Sequence, residues 1–166
     1  MKGKSKEEMI RAIVDGWIAK ARLLNAFCMA EGLKPYATRE DIRDLIEELN
    51  ELSYEQVKRI YLFIRSLIRD VRLNPECKVN LALGFDGCPF CLINRLHFFS
   101  DFKRDPTCLS CLYGRRHGMC TEEDSDFMRI KERLIATGMV QEVMERILEA
   151  WIGALKVKNF KRRSGS

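Results

Sequence analysis

The stretch from Cys88 to Cys111, CPFCLINRLHFFSDFKRDPTCLSC, interrupts a chain that otherwise follows a helical pattern. It holds two Cys-x-x-Cys pairs, Cys88 with Cys91 and Cys108 with Cys111, separated by sixteen residues. A soft divalent metal needs about four donors at about 2.3 Å, and each Cys-x-x-Cys turn supplies two of them. Two such turns at this separation match the spacing expected when both close on one ion. We therefore predict that these four cysteines form a metal site.

Zinc is the predicted metal, because it binds four thiolates in a closed tetrahedral geometry without redox chemistry of its own. Iron, or an iron–sulfur cluster held by the same sulfurs, is the alternative that the spacing leaves open. Cys120 and His117 follow the second pair, and either could substitute for one of the four ligands. We interpret Cys28, on the apolar face of a helix, and Cys77, in a polar turn, as structural. His97 lies in a helical stretch and is interpreted as a packed or half-exposed ring.

The N-terminal residues, MKGKSKEEMIRAIV, place acids directly after lysines and then follow a helical period, which is not the pattern of a signal peptide. No apolar run of about eighteen residues occurs, so we expect no membrane partner and a cytoplasmic location. Disulfides rarely persist in a reducing compartment. Seven cysteines would also leave at least one thiol unpaired. Both points favour metal-bound or free thiols over disulfides.

Helical periodicity surrounds the cysteine region on both sides. Three helices precede it, and their predicted N-terminal caps are Ser5, Thr38 and Ser53. Two helices follow it, the first capped by Thr121 or Ser125, and Gly138 separates the two. Only residues 78–85, KVNLALGF, show an alternation that would suit a short strand. The predicted fold class is therefore mainly α, a bundle of about five helices with a small irregular metal-binding insert of the four-cysteine type.

The length of 166 residues suits one compact unit with local subdivisions. The N-terminal helical part covers residues 5–75, and the metal-binding cysteine insert covers residues 76–121. The C-terminal helices, residues 122–158, are predicted to pack on the N-terminal part. Residues 159–166 are predicted to form a basic flexible tail.

The segment Cys88-Pro89-Phe90-Cys91, at the start of a predicted helix and after the possible strand, resembles the active-site motif of glutaredoxin-like proteins. The resemblance implies thiol redox activity, in which a helix N-terminus lowers the pKa of the first thiol. It covers only this short segment. The family also has further strands and a cis proline facing the disulfide, whereas the only later proline here, Pro106, lies beside Cys108. A redox protein is therefore the less favoured alternative.

Patterns typical of catalysis are absent from the sequence. Catalytic zinc sites combine an open coordination position with a carboxylate, commonly in a His-Glu-x-x-His or His-x-Glu string, and neither string occurs. The sequence also lacks a Walker loop, a dinucleotide fingerprint and a Gly-x-Ser-x-Gly elbow. We assign no catalytic residue, and we expect a non-enzymatic protein without a small-molecule substrate.

Basic residues concentrate at both termini and around the thiols, while the rest of the chain is net acidic. The cations and the aromatic residue near the second pair are Lys103, Arg104, Tyr113, Arg115 and Arg116. Guanidinium and aromatic groups on a rigid loop suit phosphate contacts and base stacking. We therefore predict a DNA- or RNA-binding or regulatory module with a structural metal. The alternative is an interaction or adaptor protein, binding another protein or itself, with a purely structural zinc site.

A second basic stripe lies on the predicted third helix and consists of Lys58, Arg65, Arg69 and Arg72. The preceding helix is rich in acids: Glu40, Asp41, Asp44, Glu47, Glu48 and Glu51. Two helices joined by a tight turn can neutralise each other along their edges. We therefore expect this stripe to be solvated or paired with those acids rather than to bind nucleic acid.

Overall fold

A computed structural model describes residues 3–71, 73–98 and 111–157, without the side chains of residues 75–77, 85, 97 and 98. The described residues contain eight α-helices and no strand. The helices are α1 (Lys6–Glu31), α2 (Arg39–Glu51), α3 (Tyr54–Asp70), α4 (Pro75–Ala82), α5 (Pro89–Phe98), α6 (Leu112–His117), α7 (Asp126–Thr137) and α8 (Val140–Leu155). The mainly α prediction is confirmed. The count of about five helices is wrong, because the stretch predicted to be irregular contains α4, α5 and α6.

Local capping chemistry determines where the long helices begin. Ser5, Thr38 and Ser53 each accept a hydrogen bond from the backbone N–H three residues later. The backbone N–H of each cap donates in turn to the side chain of that later residue, which completes a capping box. Of the two residues considered for α7, Ser125 rather than Thr121 is the cap. These helix starts need only residues within one turn, so they are readable from the sequence.

Glycines end α1 and α7. Gly32 has a φ of 70° and Gly138 a φ of 74°, both in the left-handed region that a side chain disfavours. In each case the glycine N–H bonds back to carbonyls of the last helical turn. The chain therefore turns at these two positions, and Gly138 separates α7 from α8 as predicted.

Residues 78–85 do not form a strand. They complete α4, which begins at Pro75, and run into a 3₁₀ turn over Phe85–Gly87. Leu81, Ala82 and Leu83 are all buried, so three consecutive apolar side chains enter the core. A short buried helix and a short buried strand give similar apolar patterns, so the sequence left this stretch ambiguous between the two.

The core is built around the close packing of α1 against α8. A Cβ on Gly16 of α1 would overlap the ring of Trp151 of α8, so the glycine lets the two backbones approach. Helix α5 contacts α2 and α3, and its Leu92 and Ile93 are fully buried. The cysteine-bearing helix is therefore part of the same core. None of the helices in the described part of the chain combines the length and the apolarity that a bilayer crossing requires.

Candidate metal centre

The first cysteine pair lies at the N-terminal end of α5. Cys88 directly precedes the helix and Cys91 lies in its first turn, with exposed fractions of 9% and 5%. Gly87 comes just before the pair, and a Cβ at that position would overlap the carbonyl oxygen of Leu81. The pair is therefore positioned by a tight backbone contact that only glycine permits.

Hydrogen bonding joins the two thiols of this pair. The Cys91 thiol donates to Cys88 and lowers the pKa of Cys88 to about 6, with further help from Lys20 and from the N–H groups of Cys91 and Phe90. The same contact raises the pKa of Cys91 well above its ordinary value. The contact therefore makes Cys88 the more acidic thiol of the pair.

Two other cysteines approach this pair. Cys111 is the N-cap of α6 and is buried, whereas Cys120, a few residues after α6, is partly buried. Both lie close enough to Cys91 that negative charge on either thiol raises its pKa. Cys108 lies outside the described residues. Four cysteines from three separate segments of the chain therefore face one region of the core.

Four buried aromatic rings, which we call the aromatic cluster, hold these segments together: Trp17, Tyr36, Phe90 and Tyr113. Phe90 lies inside the first Cys-x-x-Cys turn, Tyr113 follows Cys111 by two residues, and the two ring centroids are 5.8 Å apart. The Trp17 ring meets both, at 5.5 Å from Phe90 and 6.4 Å from Tyr113. The Tyr113 hydroxyl donates to the carbonyl of Tyr36 at 2.5 Å. The aromatic cluster thus fixes the first pair beside Cys111.

A buried lysine adjoins the same thiols. Lys20 of α1 has an exposed fraction of 1%, and its Nζ lies 5.7 Å from the centroid of the Tyr36 ring. Burial lowers the pKa of Lys20, and negative charge on Cys88, Cys120 or Cys91 opposes that effect. Lys20 was not among the predicted site residues. Its position three residues after Trp17, on the apolar face of α1, was the sequence feature that could have indicated its burial.

The described residues do not form a complete metal cage. Within them, no three His, Cys, Asp or Glu side chains are grouped so that they could hold a metal ion. Three of the four predicted ligands, Cys88, Cys91 and Cys111, belong to this part of the chain, and Cys108 does not. The donor chemistry nevertheless suits a soft metal, since the thiols of Cys88, Cys91 and Cys111 are buried and the pKa of Cys88 is lowered.

His117, one of the two residues predicted to be able to substitute as a ligand, is engaged elsewhere. Its Nε2 lies 2.6 Å from Asp41 and its Nδ1 lies 2.8 Å from Asp126. Burial opposes the charged ring, but the hydrogen bonds to Asp41 and Asp126 outweigh that effect and raise the pKa of His117. Each ring nitrogen therefore already faces a carboxylate, and neither is directed at the thiols. Of the two substitutes, Cys120 is therefore the one that the geometry favours.

The predicted nucleic-acid-binding residues lie in different environments in the structure. Tyr113 has an exposed fraction of 2% and is part of the aromatic cluster, so its ring is not on the surface, and its role in nucleic-acid binding stays a prediction. Arg116 forms ion pairs with Asp41 and, at 2.8 Å, with Asp44. Arg115 is exposed on α6. Lys103 and Arg104 lie outside the described residues.

These ion pairs also explain what the acids of α2 do. Asp41 and Asp44 pair with α6, not with the basic stripe of α3. In α3, Lys58 lies 5.9 Å from the Tyr54 ring centroid, and Arg65 donates to the Tyr61 hydroxyl at 3.3 Å. Asp41 and Asp44 of α2 therefore contact α6, and Lys58 and Arg65 of α3 contact neighbouring tyrosines. These four residues do not form the ion pairs between α2 and α3 that were one of the two expectations.

Three residues with predicted roles, Cys28, Cys77 and His97, lie outside the main site. Cys28 is buried on α1, as expected of a structural thiol. Cys77 and His97 belong to α4 and α5, but their side chains lie outside the described part.

No protein-family model, no curated protein and no solved structure matches this chain. The glutaredoxin-like resemblance also loses its structural context, because residues 78–85 are not a strand and no strand occurs elsewhere among the described residues. Functional inference therefore depends on the residues of the chain itself.

Proposed function

We propose that this chain is a non-enzymatic helical protein that binds zinc through Cys88, Cys91, Cys108 and Cys111, with the metal in a structural role. The observation that carries the proposal is the ring contact of 5.8 Å between Phe90 and Tyr113, because it brings the first Cys-x-x-Cys turn beside Cys111. Iron bound by the same sulfurs is the alternative metal.

Burial of the thiols supports a structural rather than a catalytic metal. Closed four-thiolate zinc sites need no open position for substrate or water. Cys88, Cys91 and Cys111 each have an exposed fraction of 9% or less, which suits a closed site. Nothing among these buried groups supplies the carboxylate that a hydrolytic zinc site uses as its acid or base.

The proposed metal would tie together two parts of the fold. Cys88 and Cys91 belong to the start of α5, whereas Cys111 caps α6, and residues 99–110 connect these helices. A metal shared by both pairs would close this connecting segment into a loop. Because the ligands come together only in the folded chain, metal affinity would contribute to the free energy of folding.

The partner remains a prediction. Nucleic acid is the predicted partner of Lys103, Arg104, Tyr113, Arg115 and Arg116. Of these, Tyr113 is buried, and the exposed Arg116 forms ion pairs with Asp41 and Asp44. Binding to another protein is the alternative, and two strongly exposed apolar side chains, Met29 and Leu73, favour it at 85% and 87% exposure.

The metal is tested by elemental analysis and a visible absorption spectrum of full-length protein purified anaerobically without added metal. One zinc per chain is expected, and a coloured protein would indicate iron instead. Single Cys→Ser changes at positions 88, 91, 108 and 111 are expected to weaken metal binding strongly. Cys28→Ser is the matched control, because Cys28 is also buried, and it is expected to retain the metal.

Two results would contradict the proposal. One is wild-type protein that contains no metal and takes up neither zinc nor iron on addition. The other is full metal retention after serine replaces both Cys108 and Cys111. Retention by the Cys108→Ser variant together with loss in Cys120→Ser would assign the fourth ligand to Cys120.

A further inference from the structure

The outer side of α3 carries the basic stripe for which solvation or pairing with the acids of α2 was expected. Lys58 and Arg65 of this stripe are half-buried and Arg69 is exposed, whereas Arg72 lies outside the described residues. None of these three cations forms an ion pair within the described part of the chain. Their charge is therefore available to a partner.

The three cations lie along one line of the helix. Arg65 follows Lys58 by seven residues and Arg69 follows Arg65 by four, which are spacings that return to the same side of an α-helix. At about 1.5 Å per residue, the line from Lys58 to Arg69 is about 16 Å long. The acids of α3, Glu55 and Asp70, lie at its two ends. The turns between them carry only basic charge.

Two tyrosines hold the stripe and join it to the basic N-terminus. The guanidinium carbon of Arg65 lies 5.7 Å from the ring centroid of Tyr61, and Nζ of Lys58 lies 5.9 Å from that of Tyr54. The Tyr54 hydroxyl donates to the carbonyl of Lys4, 50 positions away in the chain, at 3.3 Å. The N-terminal basic residues and the stripe, which are distant in the sequence, are therefore neighbours in space.

We propose that the stripe of α3 and the adjoining Lys4 bind the phosphate backbone of nucleic acid. This inference rests on the predicted nucleic-acid partner and does not depend on the metal. Lysine and arginine contacts to phosphates position a protein on nucleic acid without reading its sequence. Duplex DNA carries one phosphate charge per about 1.7 Å of its axis, so a line of about 16 Å faces enough phosphates for each of these cations.

The apolar residues of α3 argue against two other partners. Ile60, Ile64 and Ile68 are fully buried, so the apolar side of the helix lies in the core and cannot insert into a bilayer. The centre of a protein–protein interface is depleted in charge. On α3, by contrast, the exposed large apolar side chains are Tyr54 and Leu62, at 38% and 50% exposure, and cations lie between and beyond them. A polyanion therefore fits this side of α3 best.

The test compares full-length wild type with the double variant Lys58→Gln/Arg69→Gln. Fluorescence anisotropy measures the affinity of each protein for a labelled DNA duplex and for the RNA duplex of the same sequence, over a range of salt concentrations. Each lost phosphate contact lowers the slope of log affinity against log salt concentration by about 0.9, so the slope is expected to fall by about 1.8. Between about 50 and about 200 mM salt, the wild type is then expected to lose about 12-fold more affinity than the variant.

The matched control is Arg129→Gln/Lys131→Gln on α7. It removes one arginine and one lysine of similar exposure, and the wild-type slope is expected to persist. Far-UV circular dichroism checks that both double variants keep their helices. Should Lys58→Gln/Arg69→Gln lose its helical signal, Arg69→Gln takes its place, with an expected fall in slope of about 0.9.

The outcomes separate this inference from the predicted partner. A wild-type slope in the α3 variant would overturn the inference, and a lower slope for Arg115→Ala in the same assay would leave nucleic acid as the partner. Wild-type protein that binds neither duplex at about 50 mM salt would overturn both. An equal fall in slope for the α7 control would also overturn the inference, because net charge alone would then explain the effect. So would a salt-sensitive dimer that the α3 variant loses and neither duplex displaces, since the stripe would then bind a second copy of the chain.

Discussion

Replacing His117 by phenylalanine is expected to destabilise the fold by about 3 kcal/mol, near the lower end of the cost of breaking a buried ion pair. Phenylalanine keeps a ring beside Tyr113, whose centroid lies 4.3 Å from that of His117, and removes both hydrogen bonds. The carboxylate of Asp41, which is fully buried, would lose one cationic partner. The ion pair between Arg116 and Asp41 persists in this variant, so the expected loss of stability lies near the lower end of the range for a broken buried ion pair.

Urea denaturation followed by far-UV circular dichroism measures this change. The matched control is Arg146→Ala, which removes an exposed pair with Glu142 at 3.6 Å and is expected to cost less than about 0.5 kcal/mol. A double-mutant cycle with Asp41→Asn would isolate the pairwise energy. A loss no larger for His117→Phe than for Arg146→Ala would refute the buried ion pair.

The pH dependence of the same variant gives an independent check. The pKa of His117 is raised in the folded protein. Its contribution to folding stability is therefore fully present below the pKa of the unfolded chain, about 6.5, and is lost as the pH rises through the folded-state pKa. Burial raises the pKa of Asp41, but hydrogen bonds from His117, Thr38 and Arg116 outweigh burial and lower it. The contribution of Asp41 to folding stability is therefore lost only at acidic pH. Wild-type stability is therefore expected to fall at alkaline pH more than that of His117→Phe.

Glu48 also titrates, because burial raises its pKa to about 7. It is present in both proteins, so the difference between their stability curves cancels its effect. Parallel curves above neutral pH would show that His117 is not an imidazolium in the folded protein.

Three further predictions concern packing and binding. Gly16→Ala is expected to lower the free energy of unfolding by about 1–3 kcal/mol in thermal or urea denaturation, because the new methyl group would overlap the Trp151 ring. Its control is Gly153→Ala on α8, where open space surrounds the new methyl group, and this variant is expected to raise the free energy of unfolding by about 0.5–1 kcal/mol. Equal effects of the two substitutions would contradict the close approach of α1 and α8. Gly87→Ala is expected to weaken zinc binding in competition with a chromophoric chelator, since it displaces the first cysteine pair, and unchanged affinity would show that the tight turn does not position that pair. If nucleic acid is the partner, Arg115→Ala is expected to reduce the slope of log affinity against log salt concentration by about one. Binding that does not depend on salt concentration would favour a protein partner instead.

Much of the helical architecture was predictable because its signals are local. The capping boxes at Ser5, Thr38 and Ser53 involve residues three apart, and the glycine ends at Gly32 and Gly138 need only the last helical turn. The short helices α4 to α6 were not predicted as a set, since few residues each give too little periodicity to separate helix, strand and loop. The pairing of cysteines in sequence was likewise visible, while their approach in space was not.

The sequence by itself determined the long helices, their caps and the presence of paired soft ligands, because these depend on residues within a few positions of one another. Only the tertiary structure decided what the side chains around the thiols do. His117 lies in an acidic environment because Asp41, 76 positions away in the chain, is 2.6 Å from its Nε2, and the hydroxyl of the buried Tyr113 donates to the carbonyl of Tyr36, 77 positions away. Lys20 is buried, and its Nζ lies 5.7 Å from the ring centroid of Tyr36, which follows the end of α1. Charge and burial are set by neighbours in space, and neighbours so distant along the chain leave no local pattern to read.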